Sequence, residues 1–147
     1  MTARANLIGA VTGFFLYGLY ILMFVLRLIG LAAWGHRIAT LQFLCLVPLV
    51  YLLVAFPRID AGPLFVVQVS LMIFFLIVEF VVDYWLRLDF RSTRWMVITY
   101  VTFFFAATGG LLGIIARMPD RAWIFAGGVM FLVMAVLAFV SRAVTGI

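Results

Sequence analysis

The residues best placed to do chemistry are two acids, Glu79 and Asp83, set four positions apart in the apolar stretch Leu64–Trp95. That stretch is long enough to cross a bilayer. On a helix, positions i and i+4 share a face, so both carboxylates point the same way. Gln68, Met72 and Arg87 extend that face in both directions. A charge near the centre of a membrane helix costs about 2.5–3.5 kcal/mol on insertion scales, and each Leu, Ile, Phe or Val returns about 0.3–0.6 kcal/mol. The run is apolar enough to insert, but its acids must face protein or water rather than lipid. A carboxylate removed from water exchanges protons closer to neutral pH, or holds a cation when ionised. Glu79 is the better proton carrier, being deeper and without an Arg one turn away on its own helix. Asp83 is the more structural of the two, with Arg87 or Arg27 as a partner.

The depth of these groups predicts a shared layer. Glu79 lies about 10 Å in from the helix end near Leu86, at about 1.5 Å per residue. Thr99 and Thr102 enter the membrane from the same side, as do Arg27, Thr40 and Gln42. Glu79 and Asp83 are therefore the expected proton or cation site. Arg27, Gln42, Arg87, Thr99 and Thr102 are the expected supporting polar layer. The competing reading is a packing network, in which the same groups satisfy one another and fix the helices.

Five helices must position this layer. Apolar runs predict helices over residues 7–31, 38–56, 64–86, 95–116 and 122–140. The connections are short: a turn at Leu31–Arg37 containing Gly35 and His36, the Pro57–Pro63 turn, the polar loop Asp89–Arg94, and Arg117–Arg121. Short connections force antiparallel neighbours and leave a single all-α transmembrane domain. Pro48 removes a backbone donor and predicts a kink near Leu44. Gly9 and Gly13 are spaced for close helix approach. In the fourth helix Thr99, Thr102, Ala106, Gly109 and Gly113 form a small-residue stripe, expected to face inward, with Phe103–Phe105 covering the rest. Phe14-Phe15-Leu16 and Leu26-Arg27-Leu28 recur sixty positions on as Phe74-Phe75-Leu76 and Leu86-Arg87-Leu88, and Asp60 matches Asp120. A duplicated helical hairpin and chance in a Phe- and Leu-rich chain both account for this.

Composition sets the remaining bounds. Of 147 residues, 69% are hydrophobic, too many for a water-exposed surface. The net charge of +5 comes from ten Arg, no Lys and five acids. The arginines flank apolar runs, so they read as topology signals and headgroup contacts rather than as a nucleic-acid surface. Without lysine, no Schiff-base cofactor can be attached. One Cys and one His cannot make a typical zinc site or a two-histidine haem site, and no other cofactor is expected. Ser70, Cys45 and His36 lie in separate segments and form no nucleophilic motif. No glycine-rich phosphate loop is present.

Alternate connections divide the arginines six to four. Arg27, Arg37, Arg87, Arg91, Arg94 and Arg142 fall on one side, Arg4, Arg58, Arg117 and Arg121 on the other. The larger set marks the cytoplasm, leaving the N-terminus outside, in an inner or plasma membrane. The expected function is a small transporter or channel-like protein with a proton- or cation-linked carboxylate, not an enzyme. The rival is a non-catalytic subunit or assembly factor of a membrane complex; a lipid-modifying enzyme comes third. Expected partners are membrane lipids and further copies of the chain or a larger complex.

Overall fold

The computed structural model describes residues 2–55, 57, 62–86 and 93–145. It is a bundle of five membrane-length helices with no strand among the described residues. Helix α1 (Thr2–Leu28) forms the first span. The second span is built from α2 (Ala32–Ala39), a 3₁₀ segment (Thr40–Cys45) and α3 (Leu46–Val54). The third joins α4 (Pro63–Glu79) to a π-helical segment (Phe80–Trp85). Helices α5 (Arg94–Ile115) and α6 (Arg121–Thr145) are continuous. All five spans are apolar enough to cross a bilayer, so this is a multi-pass membrane protein.

Helix α1 is the centre of the bundle. In its most apolar window 56% of the residues are buried, against 17% in α6. It packs on α2, α3, α5 and α6. Gly9 and Gly13 permit this, as the sequence predicts. A Cβ on Gly9 would sit 2.6 Å from Ile114 Cγ2, and one on Gly13 would sit 2.9 Å from Ile115 Cδ1. Both contacts are with α5. On α5 itself, Gly110 and Gly113 make room for Gln68 of α4, whose amide a Cβ on Gly113 would strike. Gln68 thus packs between helices well away from Glu79.

The structure corrects three expectations. Leu31–Arg37 is not a turn. The chain reverses at Gly30, whose φ of +83° suits glycine, and α2 already begins at Ala32. Gly35 is a packing glycine: its Cβ would lie 3.2 Å from the Met23 carbonyl oxygen of α1. His36 is accordingly helical, and its ring stacks on Tyr84 at 4.3 Å. Secondly, the first part of the small-residue stripe of α5 faces outward, with Thr99, Thr102 and Ala106 exposed, while Gly113 at its far end meets Gln68 of α4. The buried face is Phe104, Ala107, Thr108, Leu111, Ile114 and Ile115. Phe104 decides this rotation, because its ring meets Tyr20, Phe24, Phe75 and Phe105 at 5.2–6.3 Å. Thr99 needs no partner there, since its hydroxyl donates to the Trp95 carbonyl of its own helix at 2.9 Å. Thirdly, the helix predicted over 64–86 does not stay α-helical: its last turns widen into the π segment.

The Pro48 irregularity lies where the missing donor predicts, with the 3₁₀ segment ending at Cys45 beside Leu44. Helix α5 has no such break, so the two hairpins of the sixty-residue match differ in form. Phe56, Arg58, Asp60 and residues 87–92, including Arg87, Asp89 and Arg91, lie outside the described residues.

Gly13→Leu should lower stability in detergent by about 1–3 kcal/mol, because the added atoms must displace Ile115. Gly18→Ala, with nothing within 4 Å of the new Cβ, should leave stability unchanged or raise it. Thermal unfolding followed by circular dichroism separates the two, and equal effects would refute the α1–α5 contact.

Candidate functional site

Glu79 is the last residue of α4 and is only 5% exposed. The π segment of six residues lies between it and the end of the span. Its Oε1 accepts a hydrogen bond of 2.9 Å from the Tyr100 hydroxyl of α5. Its Oε2 is buried and has no hydrogen-bond partner. A buried polar atom left in that state carries a desolvation penalty of about 1–3 kcal/mol, more if charged.

Gln42 comes from the 3₁₀ segment and is fully buried. Its Oε1 accepts from the Tyr20 hydroxyl of α1 at 2.8 Å, while its Nε2 has no acceptor. The Gln42 amide neighbours Glu79, as do Arg27 and Asp83. An unpaired donor and an unpaired carboxylate oxygen thus lie side by side, flanked by two tyrosines. Tyr84 braces this edge from the π segment. Its hydroxyl donates to the His36 carbonyl at 3.1 Å, and its ring meets Phe43 edge-on at 5.0 Å.

Glu79 also lines a cavity of about 320 Å³ between α1, α4, α5 and α6. Its polar lining is Tyr20, Arg27, Glu79, Tyr100, Thr102 and Arg142. Its apolar walls include Phe24, Phe104, Phe105 and Phe139. The floor is buried, formed by Tyr20, Met23, Phe24, Glu79 and Phe104. The mouth lies between α5 and α6, where Ile98, Thr102, Phe139 and Arg142 are exposed. Helix direction puts Arg27 near the end of α1 and Arg142 near the end of α6 on the same membrane face. Both guanidiniums therefore stand at the interface, above the deeper carboxylate. The Arg27 guanidinium lies 5.6 Å from the Phe24 ring centre, which holds its stem along the cavity wall.

The sequence-derived site is partly assembled. Glu79, Arg27 and Thr102 line the cavity, and Gln42 stands behind Glu79. Asp83 is near Glu79 but does not line the cavity, because it lies in the widened π turn. Thr99 is exposed and self-bonded, so it leaves the layer. Arg87 lies outside the described residues. Sequence reasoning missed Tyr20, Tyr100 and Arg142. The tyrosines had a readable signal, since a phenol deep in a membrane helix needs a hydrogen-bond partner. Arg142 had only a position at the end of the last helix on the side of Arg27.

Among the described residues no group of three or more acids, His or Cys is placed to hold a metal ion. The cavity brings one carboxylate, two tyrosine hydroxyls and two guanidiniums onto a shared wall. Tyr100→Phe should cost about 1 kcal/mol of stability by removing the donor to Glu79 Oε1. In a Glu79→Leu background the same change should cost less, and a double-mutant unfolding cycle with no coupling would refute the bond. No protein-family model matches the chain, and no curated protein or solved structure is similar to it.

Proposed function

We propose that this chain is a small proton-linked membrane carrier in which Glu79 is the group that takes up and releases the proton. The observation that supports this reading is the position of Glu79, buried, with one oxygen unpaired, on the wall of a cavity that reaches the bundle surface. The proton is favoured over a metal cation for an electrostatic reason. Arg27 and Arg142 share the cavity, and their positive charges oppose a second bound cation. We place the Arg27–Arg142 end in the cytoplasm on the arginine count, with the N-terminus outside.

A second reading has its own observation. The exposed small residues Thr99, Thr102 and Ala106 of α5, with open space above Gly109, form a surface on which a partner helix could approach closely. In that reading the chain is a subunit, or self-associates, and the polar cluster fixes packing.

Glu79→Gln separates the two. Gln keeps the size and the acceptor for Tyr100 but cannot titrate. In membranes titrated between about pH 5 and pH 9, infrared difference spectra of the wild type should show a carboxylic-acid carbonyl band that is absent in Glu79→Gln. Proton flux into liposomes should fall to background in the same variant, with unfolding unchanged. A band that persists, or flux equal to the wild type, would favour the subunit reading.

A further inference from the structure

A carboxamide has a direction: its oxygen only accepts and its nitrogen only donates. Gln42 is held in one of its two orientations by Tyr20, whose hydroxyl donates to Gln42 Oε1 at 2.8 Å. The nitrogen is thereby turned away from Tyr20, and the amide stands beside Glu79. Aromatic contacts fix the same approach of the second span to the third. Phe43, the next residue, meets Phe80 at 5.3 Å and Tyr84 at 5.0 Å, both edge-on. Gln42 is fully buried and Glu79 nearly so, and neither Gln42 Nε2 nor Glu79 Oε2 has a hydrogen-bond partner. In this orientation Gln42 presents a donor to the ionised carboxylate.

The orientation that suits the carboxylate does not suit the acid. Glu79 Oε1 already accepts from the Tyr100 hydroxyl at 2.9 Å, so an incoming proton goes to Oε2. The new hydroxyl then faces the Gln42 N–H group, donor against donor, where an unmade hydrogen bond is costly. Turning the amide by half a revolution about its last torsion, which is broad and two-fold, removes the conflict. We infer that Gln42 is the positioning residue of proton uptake: its amide inverts when Glu79 is protonated, and the inversion turns the Tyr20 hydroxyl from donor to acceptor. The inference rests on the proton-carrier reading and gives it a relay. After the turn, Gln42 Oε1 accepts from the Glu79 hydroxyl, and Gln42 Nε2 donates to the Tyr20 oxygen. The Tyr20 hydrogen is freed to turn toward the cavity, which Tyr20 and Glu79 both line. A proton on the third span is thus reported to α1, the central helix, and no helix has to move.

Other titratable and charged groups meet this pair from each neighbouring element. Tyr84 of the π segment lies near Gln42, and its hydroxyl donates to the His36 carbonyl at 3.1 Å. It therefore offers Gln42 an acceptor oxygen, which matches Nε2 and returns the amide to its first orientation when the proton leaves. His36 lies beyond Tyr84, its ring stacked on the phenol at 4.3 Å. Tyr100 of α5 bonds the far oxygen of Glu79 and takes no part in the turn. Cys45 of the 3₁₀ segment lies near Tyr20. Asp83 of the π segment and Arg27 of α1 act on the charge of Glu79 through space, whichever way the amide points. Arg142 of α6 lines the opposite wall of the cavity.

The test is pH-difference infrared spectroscopy of the full chain in phosphatidylcholine membranes. The protein is made by cell-free synthesis with glutamine labelled at the side-chain carbonyl and, separately, with ring-labelled tyrosine. Gln42 and Gln68 are the chain's only glutamines, so the Gln42 signal is assigned by its loss in Gln42→Met. In the wild type the Gln42 carbonyl band and a tyrosine C–O band should shift together, at the midpoint of the carboxylic-acid band of Glu79. Tyr20→Phe should remove that tyrosine component and keep the carboxylic-acid band. Gln42→Met should remove the same component although Tyr20 is still present. Glu79→Gln should abolish the pH dependence of both shifts. A Gln42 that only fixed packing would give neither shift. The relay is overturned by a Gln42 band that does not move with pH, or by a Tyr20 component that persists in Gln42→Met. Should Gln42→Met fail to fold, the wild-type Gln42 band and the component lost in Tyr20→Phe still decide. A titrating carboxylic-acid band without the two companion shifts would sink the relay and leave the proton reading standing; no such band would sink both.

Discussion

A carboxylate in the interior of a membrane bundle sets the terms for everything around it. Water cannot solvate it, and lipid offers nothing in exchange, so its neighbours must supply every compensating contact. In this chain they come from each element within reach. Tyr100 of α5 donates to one oxygen, while Arg27 of α1, Gln42 of the second span and Asp83 of the π segment crowd the same corner. The arrangement stops short of completion, because Oε2 and the Gln42 Nε2 both remain unpaired. Glu79 is thus bonded on one side by Tyr100, with the Gln42 amide beside its other oxygen.

Backbone irregularity is how the bundle brings these groups together. Non-α backbone at membrane depth is tolerated only where it is enclosed by protein or borders a cavity. Both irregular segments here meet that condition. The 3₁₀ turn before Pro48 carries Gln42 and Cys45 to the core, and the π segment begins at the residue after Glu79. π turns occur mostly as local bulges, often at functional sites. In this one, Tyr84 reaches the His36 carbonyl and stacks on the His36 ring, tying the third span to the second beside the polar cluster. At the far end of the bundle, Arg117 Nε donates to Asn6 Oδ1 at 3.1 Å and joins α1 to the α5–α6 turn. The two ends are therefore closed by different chemistry, and the cavity is built at the Arg27 end.

The spans were legible because lipid demands long apolar runs, and their predicted limits fall within a few residues of the observed ones except at Ala32. The error there has a physical cause. Gly35 and His36 resemble turn residues, yet Gly35 serves close approach to Met23, and the reversal uses Gly30. Rotation about the helix axes was not legible. In a soluble helix the polar face marks the solvent, but on α5 both the lipid side and the core side are apolar. Small residues then look like an interface, although Phe104 and its ring contacts decide which face turns inward. Glu79 and Arg27 were found because charge is conspicuous in such a chain. Tyr20 and Tyr100 were passed over because a phenol reads as one more aromatic among sixteen Phe residues.

The placement of charge against depth gives the cavity its direction. Arg27 and Arg142 lie near the ends of α1 and α6, and Glu79 lies one π segment in from the end of its span. A ligand entering between α5 and α6 meets the cations first and the acid last. A metal cation meets repulsion at the mouth guarding an attractive floor. A proton differs, because it moves between hydrogen-bonded groups, such as the Tyr100 hydroxyl and Glu79, without carrying a hydrated ion past the arginines. In the proton-carrier reading we propose, this order of charges favours a proton over a metal cation at Glu79.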